Sequence, residues 1–293
     1  MRKLTVETVA PVLLTRWLAE LFPSISKGTI ASAFRNKDIR VNGKRVGEDT
    51  SLNTGDEVTL YIPDDKLIGL PLDVACVSRG IVVAVKPAGV LSKAEGEADM
   101  EARVTKWLEN RGEPGRAMAC HRLDSGTGGL LIFARDDLSR DAVREMMEEG
   151  AIRKYYRCIV RGVPSPEHAL LTAYLRKDAA KAIVSVYDRP VAGGRTAVTE
   201  YTLLRSDGRR SMLEVRLHTG RTHQIRAHLA YIGHPVLGDD KYGERTFNRE
   251  YKARRQKLWA YRLEFAFAPE HCPALKELAG QVFCSEPPFD GEM

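Results

Sequence analysis

Several features that would fix the class of a protein at once are missing from this 293-residue chain. No apolar run approaches the roughly 20 residues that a membrane-spanning helix needs. The main runs, Ile81-Val82-Val83-Ala84-Val85 and Leu130-Leu131-Ile132-Phe133-Ala134, have the length of strands. Arg2 and Lys3 are followed by Glu7 and Pro11 before any signal-like core develops, so a soluble, cytoplasmic protein without membrane contact is expected. The 5 cysteines (Cys76, Cys120, Cys158, Cys272 and Cys284) form no C-x-x-C pair and are odd in number. That excludes a disulfide framework and points to a reducing compartment. There is no internal repeat and no low-complexity run.

Metal and phosphate signatures are also lacking. His218, His223, His228 and His234 are the candidate ligands. Zinc-binding helices place histidines four apart, whereas a spacing of five turns successive rings about 140° off one face. No cysteine lies nearby, and no metal is expected. The glycines Gly126, Gly128 and Gly129 lack a following lysine and lead into a strand, so they do not make a phosphate cradle.

What remains is an ordinary globular composition, 43% hydrophobic, with Lys+Arg 45 against Asp+Glu 39 and a net charge of +6. An excess this modest matters through its distribution, and a polyanionic partner is compatible with it. The length favours a small module followed by a larger one. Leu14, Trp17, Leu18, Leu21 and Phe22 share one helical face, which Pro23 ends; Ser24 or Ser26 then caps a second helix over residues 27–34. Asn42-Gly43 between Ile39-Arg40-Val41 and Lys44-Arg45-Val46 is the strongest short signal for a hairpin, and residues 58–62 read as a further strand. Lys27, Arg35, Arg40, Lys44 and Arg45 cluster on the second helix and the hairpin, with Asp38, Glu48 and Asp49 among them. A linker is expected over 63–75 and a peripheral tail over 269–293.

Between them, residues 76–268 carry strand patterns at 81–85, 130–134, 154–160, 182–187, 197–205 and 212–218. Residues 137–150 form an amphipathic helix with Leu138, Ala142, Val143, Met146 and Met147 toward the core. Many antiparallel strands with a few helices predict an α+β domain around one mixed, mostly antiparallel sheet.

Two charged clusters stand out in that domain. The first, Cys120-His121-Arg122-Leu123-Asp124-Ser125-Gly126-Thr127, is a turn that feeds the apolar strand and sets Asp124 at the mouth of a sheet. The second runs from His218 to Ile232, where Thr222 can cap a helix and Ile225, Leu229 and Ile232 form an apolar stripe. Its arginines suit a phosphate backbone, and Arg226, next to Ile225, can also turn inward. A buried guanidinium needs a carboxylate, and Asp124 is the candidate without a partner. A paired-carboxylate hydrolase fits poorly, because the strand separates Asp124 from Asp136 and Asp137.

Residues 12–62, with helix, helix and Arg40-Val41-Asn42-Gly43-Lys44-Arg45-Val46, resemble the small RNA-binding domain of the ribosomal protein S-four type. The larger part resembles the RluA-type family of pseudouridine synthases, through five blocks in that family's order. These are Lys86-Pro87-Ala88-Gly89, the His121–Gly129 stretch, Lys154-Tyr155-Tyr156, Gly220-Arg221-Thr222-His223-Gln224-Ile225-Arg226, and Gly238-Asp239-Asp240-Lys241-Tyr242-Gly243. Gly128 departs from the family's usual serine, and Trp259-Ala260-Tyr261-Arg262-Leu263 from its L-H-A-x-x-L.

The resemblance implies isomerisation of uridine to pseudouridine in RNA, ribosomal RNA of the large subunit first and transfer RNA as the alternative. It implies Asp124 as catalytic carboxylate, Tyr156 stacking on the base and relaying a proton, and Arg226 paired with Asp124. Arg122 would fill the gap left by the flipped uridine, Leu263 would line the pocket, and Arg221 would join Lys27, Arg35, Arg40, Lys44 and Arg45 in binding RNA. A monomer that needs no metal or organic cofactor is expected. The rival of another class is a non-catalytic RNA-binding assembly factor that kept the fold.

Overall fold

The structure, a computed structural model, describes residues 2–22, 25, 27–63, 72–93, 99–113, 115–178 and 180–293. The chain divides into two compact units, Met1–Pro71 and Leu72–Met293.

The first unit contains strands β1 (Arg2–Thr5), β2 (Val12–Leu13), β3 (Ile39–Val41), β4 (Lys44–Val46), β5 (Ser51–Leu52) and β6 (Glu57–Leu60). Its helices span Leu14–Leu21 and Lys27–Asn36. Leu14, Trp17, Leu18 and Phe22 pack with Ile30, Ala33, Ile39 and Leu60 in one core. Leu21, expected on the same face, is 47% exposed. The chain leaves the helix at Phe22 (φ −127°, ψ 75°), and Phe22 takes the core position instead. The hairpin turn has positive φ at both Asn42 (48°) and Gly43 (77°), the geometry that matches the twist of the flanking strands. β1 pairs with β6, so the unit's sheet recruits residues ahead of position 12, where the sequence pattern starts. Pro23, Ser24 and Ser26, and most of the expected 63–75 linker, lie outside the described residues.

The second unit is built on β7 (Asp73–Val77), β8 (Ile81–Lys86), β9 (Met118–Ala119), β10 (Gly128–Ala134), β11 (Ile152–Arg161) and β12 (His168–Asp178). They are joined by β13 (Ile183–Tyr187), β14 (Arg195–Ser206), β15 (Arg210–Leu217), β16 (Leu258–Phe265) and β17 (Val282–Cys284). These form one sheet of order β13-β12-β14-β15-β11-β16-β10-β8-β7, with β9 on β10 and β17 on β16. Among the described strands every pairing is antiparallel except that of β10 with β16. The fold is therefore α+β, with a mixed, mostly antiparallel sheet.

β10 and residues 81–85 of β8 are apolar because both faces of the sheet are covered. Val82, Ala84, Leu131 and Phe133 belong to the cluster with Tyr156, Cys158, Ile225 and Leu229. Ile81, Val83, Leu130 and Ile132 belong to the other, with Val143, Met146, Leu275 and Leu278. The helix Asp137–Glu148 lies on that second side, capped by the Asp136 carboxylate, which accepts the N–H of Ser139 at 2.7 Å. Leu138, expected toward the core, is 73% exposed, because it sits in the opening turn while Val143 and Met146 make the contact.

Two boundaries and one omitted strand need correction. Residues 73–75 are not linker but part of β7, paired with β8. The long strand β12 has an interrupted apolar pattern that periodicity did not reveal. The 269–293 segment is no peripheral tail: Cys272, Leu275, Leu278 and Phe289 are buried, and β17 adds to the edge of β16.

Candidate active site

The site is assembled where β10, β16, β11 and β15 lie side by side at the middle of the sheet. Asp124 sits on the turn that delivers the chain into β10, closed by Thr127 N–H donating to the Asp124 carbonyl at 3.0 Å. The turn is held from outside by the segment after β8. The Lys86 ammonium donates to the carbonyls of Pro87 (3.1 Å), Val90 (2.6 Å) and Ser125 (3.1 Å). The Ser92 hydroxyl accepts the Leu123 N–H and donates to the Leu123 carbonyl, both at 3.0 Å. Lys86 is fully buried. Burial pulls its pKa down from 10.5 to about 8, against the opposing pull of Asp124.

Arg226 turns inward, 4% exposed, and binds three carboxylates. Nη1 donates to Asp124 Oδ2 at 3.1 Å. Nε and Nη2 grip Asp239 in a two-pronged pair at 2.6 and 2.8 Å, and Nη2 also reaches the exposed Asp240 at 3.0 Å. Burial works against charge on Arg226, yet the bonds to Asp239 and Asp124 outweigh it and raise its pKa. Burial likewise opposes charge on Asp239, but Arg226 and the N–H groups of Tyr242 and Lys241 hold its carboxyl below the ordinary range. Asp239 thus anchors the guanidinium, and the guanidinium presents one free edge to Asp124.

The helix that carries Arg226, Gln224–Tyr231, starts differently from expectation. Thr222 does not cap it; the residue before it is His223, in the left-handed conformation at φ 52°. No side chain caps the helix; the Gln224 amide oxygen instead fixes the chain ahead of it by accepting the Arg221 N–H (3.0 Å) and the Thr219 hydroxyl (2.8 Å). The strained His223 directs its ring to Tyr242, whose hydroxyl is 2.9 Å from Nδ1 and also accepts the Val184 N–H at 2.7 Å. The four histidines of the second cluster go to four separate partners: His218 to Glu200, His223 to Tyr242, His228 to Thr199 and His234 to the Arg161 carbonyl.

Asp124 and Arg226 open on a cavity of about 230 Å³ with Tyr156, His121, Arg122, Arg221 and His223 in its wall. Tyr156 is buried, and burial followed by the Asp124 charge raises its pKa, so its phenol stays protonated. Arg122 is exposed at the rim. Leu263 does not line this cavity; it packs with Ile81, Leu130, Ile132 and Phe265, and the apolar wall is Leu123, Leu217, Ile225 and Leu258. An extra residue in β16 between Ala260 and Arg262, opposite Tyr155 and Tyr156, shifts the register there. Counting along the strand pattern could not anticipate that shift.

Lys86 and Asp239 were not singled out by residue type, although both lie in blocks that carried the resemblance. Their signal is burial of a charge, which a sequence does not display.

The RNA pseudouridylate synthase family matches residues 80–231. The chain belongs to that family. It is 30% identical to an RNA pseudouridine synthase of Aquifex aeolicus over 245 residues, which is 78% of this chain and 76% of the relative. It is also 30% identical to the ribosomal large subunit pseudouridine synthase D of Xylella fastidiosa over 236 residues, 77% of this chain and 70% of the relative. In fold it is similar to human RNA pseudouridylate synthase domain containing 4, with a TM-score of 0.59 and 24% identity over 74% of this chain and 88% of that one. The synthase is an isomerase that acts on RNA. No helix among its described residues is long and apolar enough to cross a membrane.

Five basic residues of the sequence reading lie in the other unit. Lys27, Arg35, Lys44 and Arg45 are exposed, and Arg40 is half-buried with its guanidinium 5.2 Å from the Tyr61 ring centre. Arg40 and Arg45 face each other across β3 and β4. Among the described residues none of the five has an ion-pair partner; the pairs of this unit join Lys3 to Glu57 and Arg16 to Glu20.

Proposed function

We propose that Asp124 is the carboxylate that opens the glycosidic bond of a uridine in RNA, and that the RNA is ribosomal, of the large subunit. The observation that carries this reading is the relay Asp239–Arg226–Asp124 at the wall of a cavity that also holds a buried tyrosine. The isomerisation breaks the bond from ribose C1′ to N1, turns the base, and joins C1′ to C5. The C5 proton then leaves and N1 gains one, so the reaction is balanced without an external oxidant or reductant.

A carboxylate fixed by a guanidinium can bond to the ribose carbon or remove a ribose proton, and both roles need it charged and aimed. Tyr156 offers a ring against which the detached base stacks while it turns. A uridine reaches such a cavity only after leaving its stack, at a cost of a few kcal/mol, and the exposed Arg122 is placed at the rim to fill the space it vacates.

Ribosomal RNA is favoured by the activity named for the Xylella relative. The first unit adds to this: like charges opposed on paired strands destabilise a hairpin, and a polyanion relieves that cost. We read this unit as an S-four-like module for structured RNA, with Lys27, Arg35, Arg40, Lys44 and Arg45 as contacts.

The test is to incubate the protein and its Asp124→Asn variant with total RNA lacking its own pseudouridine, and to map carbodiimide-dependent reverse-transcription stops. Stops in large-subunit RNA that require Asp124 are expected, with RNA affinity retained in the variant. Stops in transfer RNA alone would replace the substrate, and equal stops with the variant would refute the role of Asp124. Deleting residues 1–62 is expected to weaken RNA binding more than turnover on a short stem-loop, as measured by KM against kcat.

A further inference from the structure

Beside the Asp124 cavity lies a second one of about 340 Å³. Lys154, Leu217, Gly220 and Arg221 border both. The sheet explains the shared wall: Lys154 is two residues from Tyr156, on the same face of β11, and is paired with Leu217 of β15. Arg153, Arg216 and His218 also face the second cavity.

Most of this positive charge has an answer. Glu264 stands 3.8 Å from Arg153, Glu200 stands 3.8 Å from Arg216 and 2.8 Å from His218, and Glu148 is at the border. Lys154 has none. Among the described residues no hydrogen bond or ion pair engages its ammonium, and burial lowers its pKa. The buried Nε of Arg153 is likewise without a partner. An enclosed cation with no counter-charge is costly in the free protein, and an anionic ligand removes that cost.

Gly220 borders both cavities, and a Cβ there would stand 3.8 Å from Lys154 Nζ. Glycine therefore leaves bare backbone beside a free ammonium, a width that a larger side chain would close. We infer that the second cavity receives the nucleotide adjacent to the target uridine, with the phosphodiester that joins the two lying over Gly220 between Lys154 and Arg221. The inference rests on the first cavity being the uridine site. A uridine that swings out of its stack brings its phosphate with it, and phosphate contacts are what set the register of a bound strand.

The test is a competition read without turnover, in which uridine or the dinucleotide uridylyl-uridine displaces fluorescein-labelled decauridylate. The dinucleotide is expected to compete at about tenfold lower concentration than uridine, the equivalent of one hydrogen bond to a charged group. That advantage should vanish in the Lys154→Gln protein and persist in Lys154→Arg. It should vanish as well in Gly220→Leu, which changes no charge and decides the matter if the glutamine variant does not fold. Equal competition by the two ligands on the unmodified protein, an advantage that survives Gly220→Leu, or its loss in the arginine variant would each overturn the inference. Absence of Asp124-dependent stops, with the dinucleotide advantage intact, would instead count against the reaction assigned to the first cavity.

Discussion

At the scale of single residues, the machinery is governed by charges whose partners are chosen far along the chain. Arg226 and Asp124 were legible from the sequence because one follows an apolar stripe and the other is a carboxylate in a glycine-rich turn. Lys86 was not, since a lysine before a proline reads as an exposed turn, and only its three carbonyl acceptors explain its burial. An ammonium satisfies three carbonyls, whereas a neutral amine has two N–H groups to give. Deprotonation near pH 8 therefore frees one of the bonds that fix the Asp124 turn. Activity is expected to fall as pH rises through about 8, and Lys86→Met should lower kcat about 100-fold with RNA affinity kept, the cost of a misplaced reacting group. Stability should move the other way: the folded pKa of about 8 lies below the 10.5 of the free side chain, so between those values the unfolded chain binds more protons and stability rises with pH. Melting midpoints across this range, compared between the protein and Lys86→Met, check the sign.

At the scale of elements, the two departures from the family pattern turn out to be one. Gly128 and Trp259 are paired across the parallel β10–β16 contact. A Cβ at position 128 would lie 2.1 Å from Cζ3 of the Trp259 ring. The indole occupies the place of the missing side chain and is fixed by donating from Nε1 to the Ser285 carbonyl at 2.9 Å. Gly128→Ser is expected to destabilise the protein by about 1–3 kcal/mol through overpacking. Adding Trp259→His, which makes room, should recover most of the loss, and a double-mutant cycle by denaturant unfolding measures the coupling. Sequence reading could flag each departure but not join them, because a parallel register between distant strands has no local signature. The same limit hid the β16 irregularity opposite Tyr155 and Tyr156, whereas the unbroken apolar runs in β8 and β10 were plain.

For the whole molecule, the buried His228 and the half-buried His121 contribute to the loss of stability in acid. Burial, reinforced by Lys154, lowers the His121 pKa from 6.5 to about 3, and burial lowers that of His228 to about 4. Above the unfolded value both residues are neutral in either state, and their full contribution is present. As pH falls below 6.5 the unfolded chain takes up protons that the folded one refuses, and stability is lost progressively down to the folded values. The drop in melting midpoint between about pH 7 and about pH 5 should be smaller in His228→Gln than in the unmodified protein. Calorimetry at the two pH values decides it. The large α+β sheet was readable as a class from its strand spacing, but not its order, because the chain reaches the centre of the sheet last.

That order has a consequence for how the protein is made. β16 lies between β11 and β10, yet among the described elements it follows β11 by four strands and two helices, and β10 by five strands and three helices. Until the ribosome has released it, β7–β10 and β11–β15 are two half-sheets with open edges, each exposing unpaired backbone. The nascent chain must therefore wait, shielded or at risk of aggregation, for β16 before the halves are stitched together. Asp124 and Tyr156 stand on opposite sides of that seam, so the cavity they share comes into being only once β16 has been made.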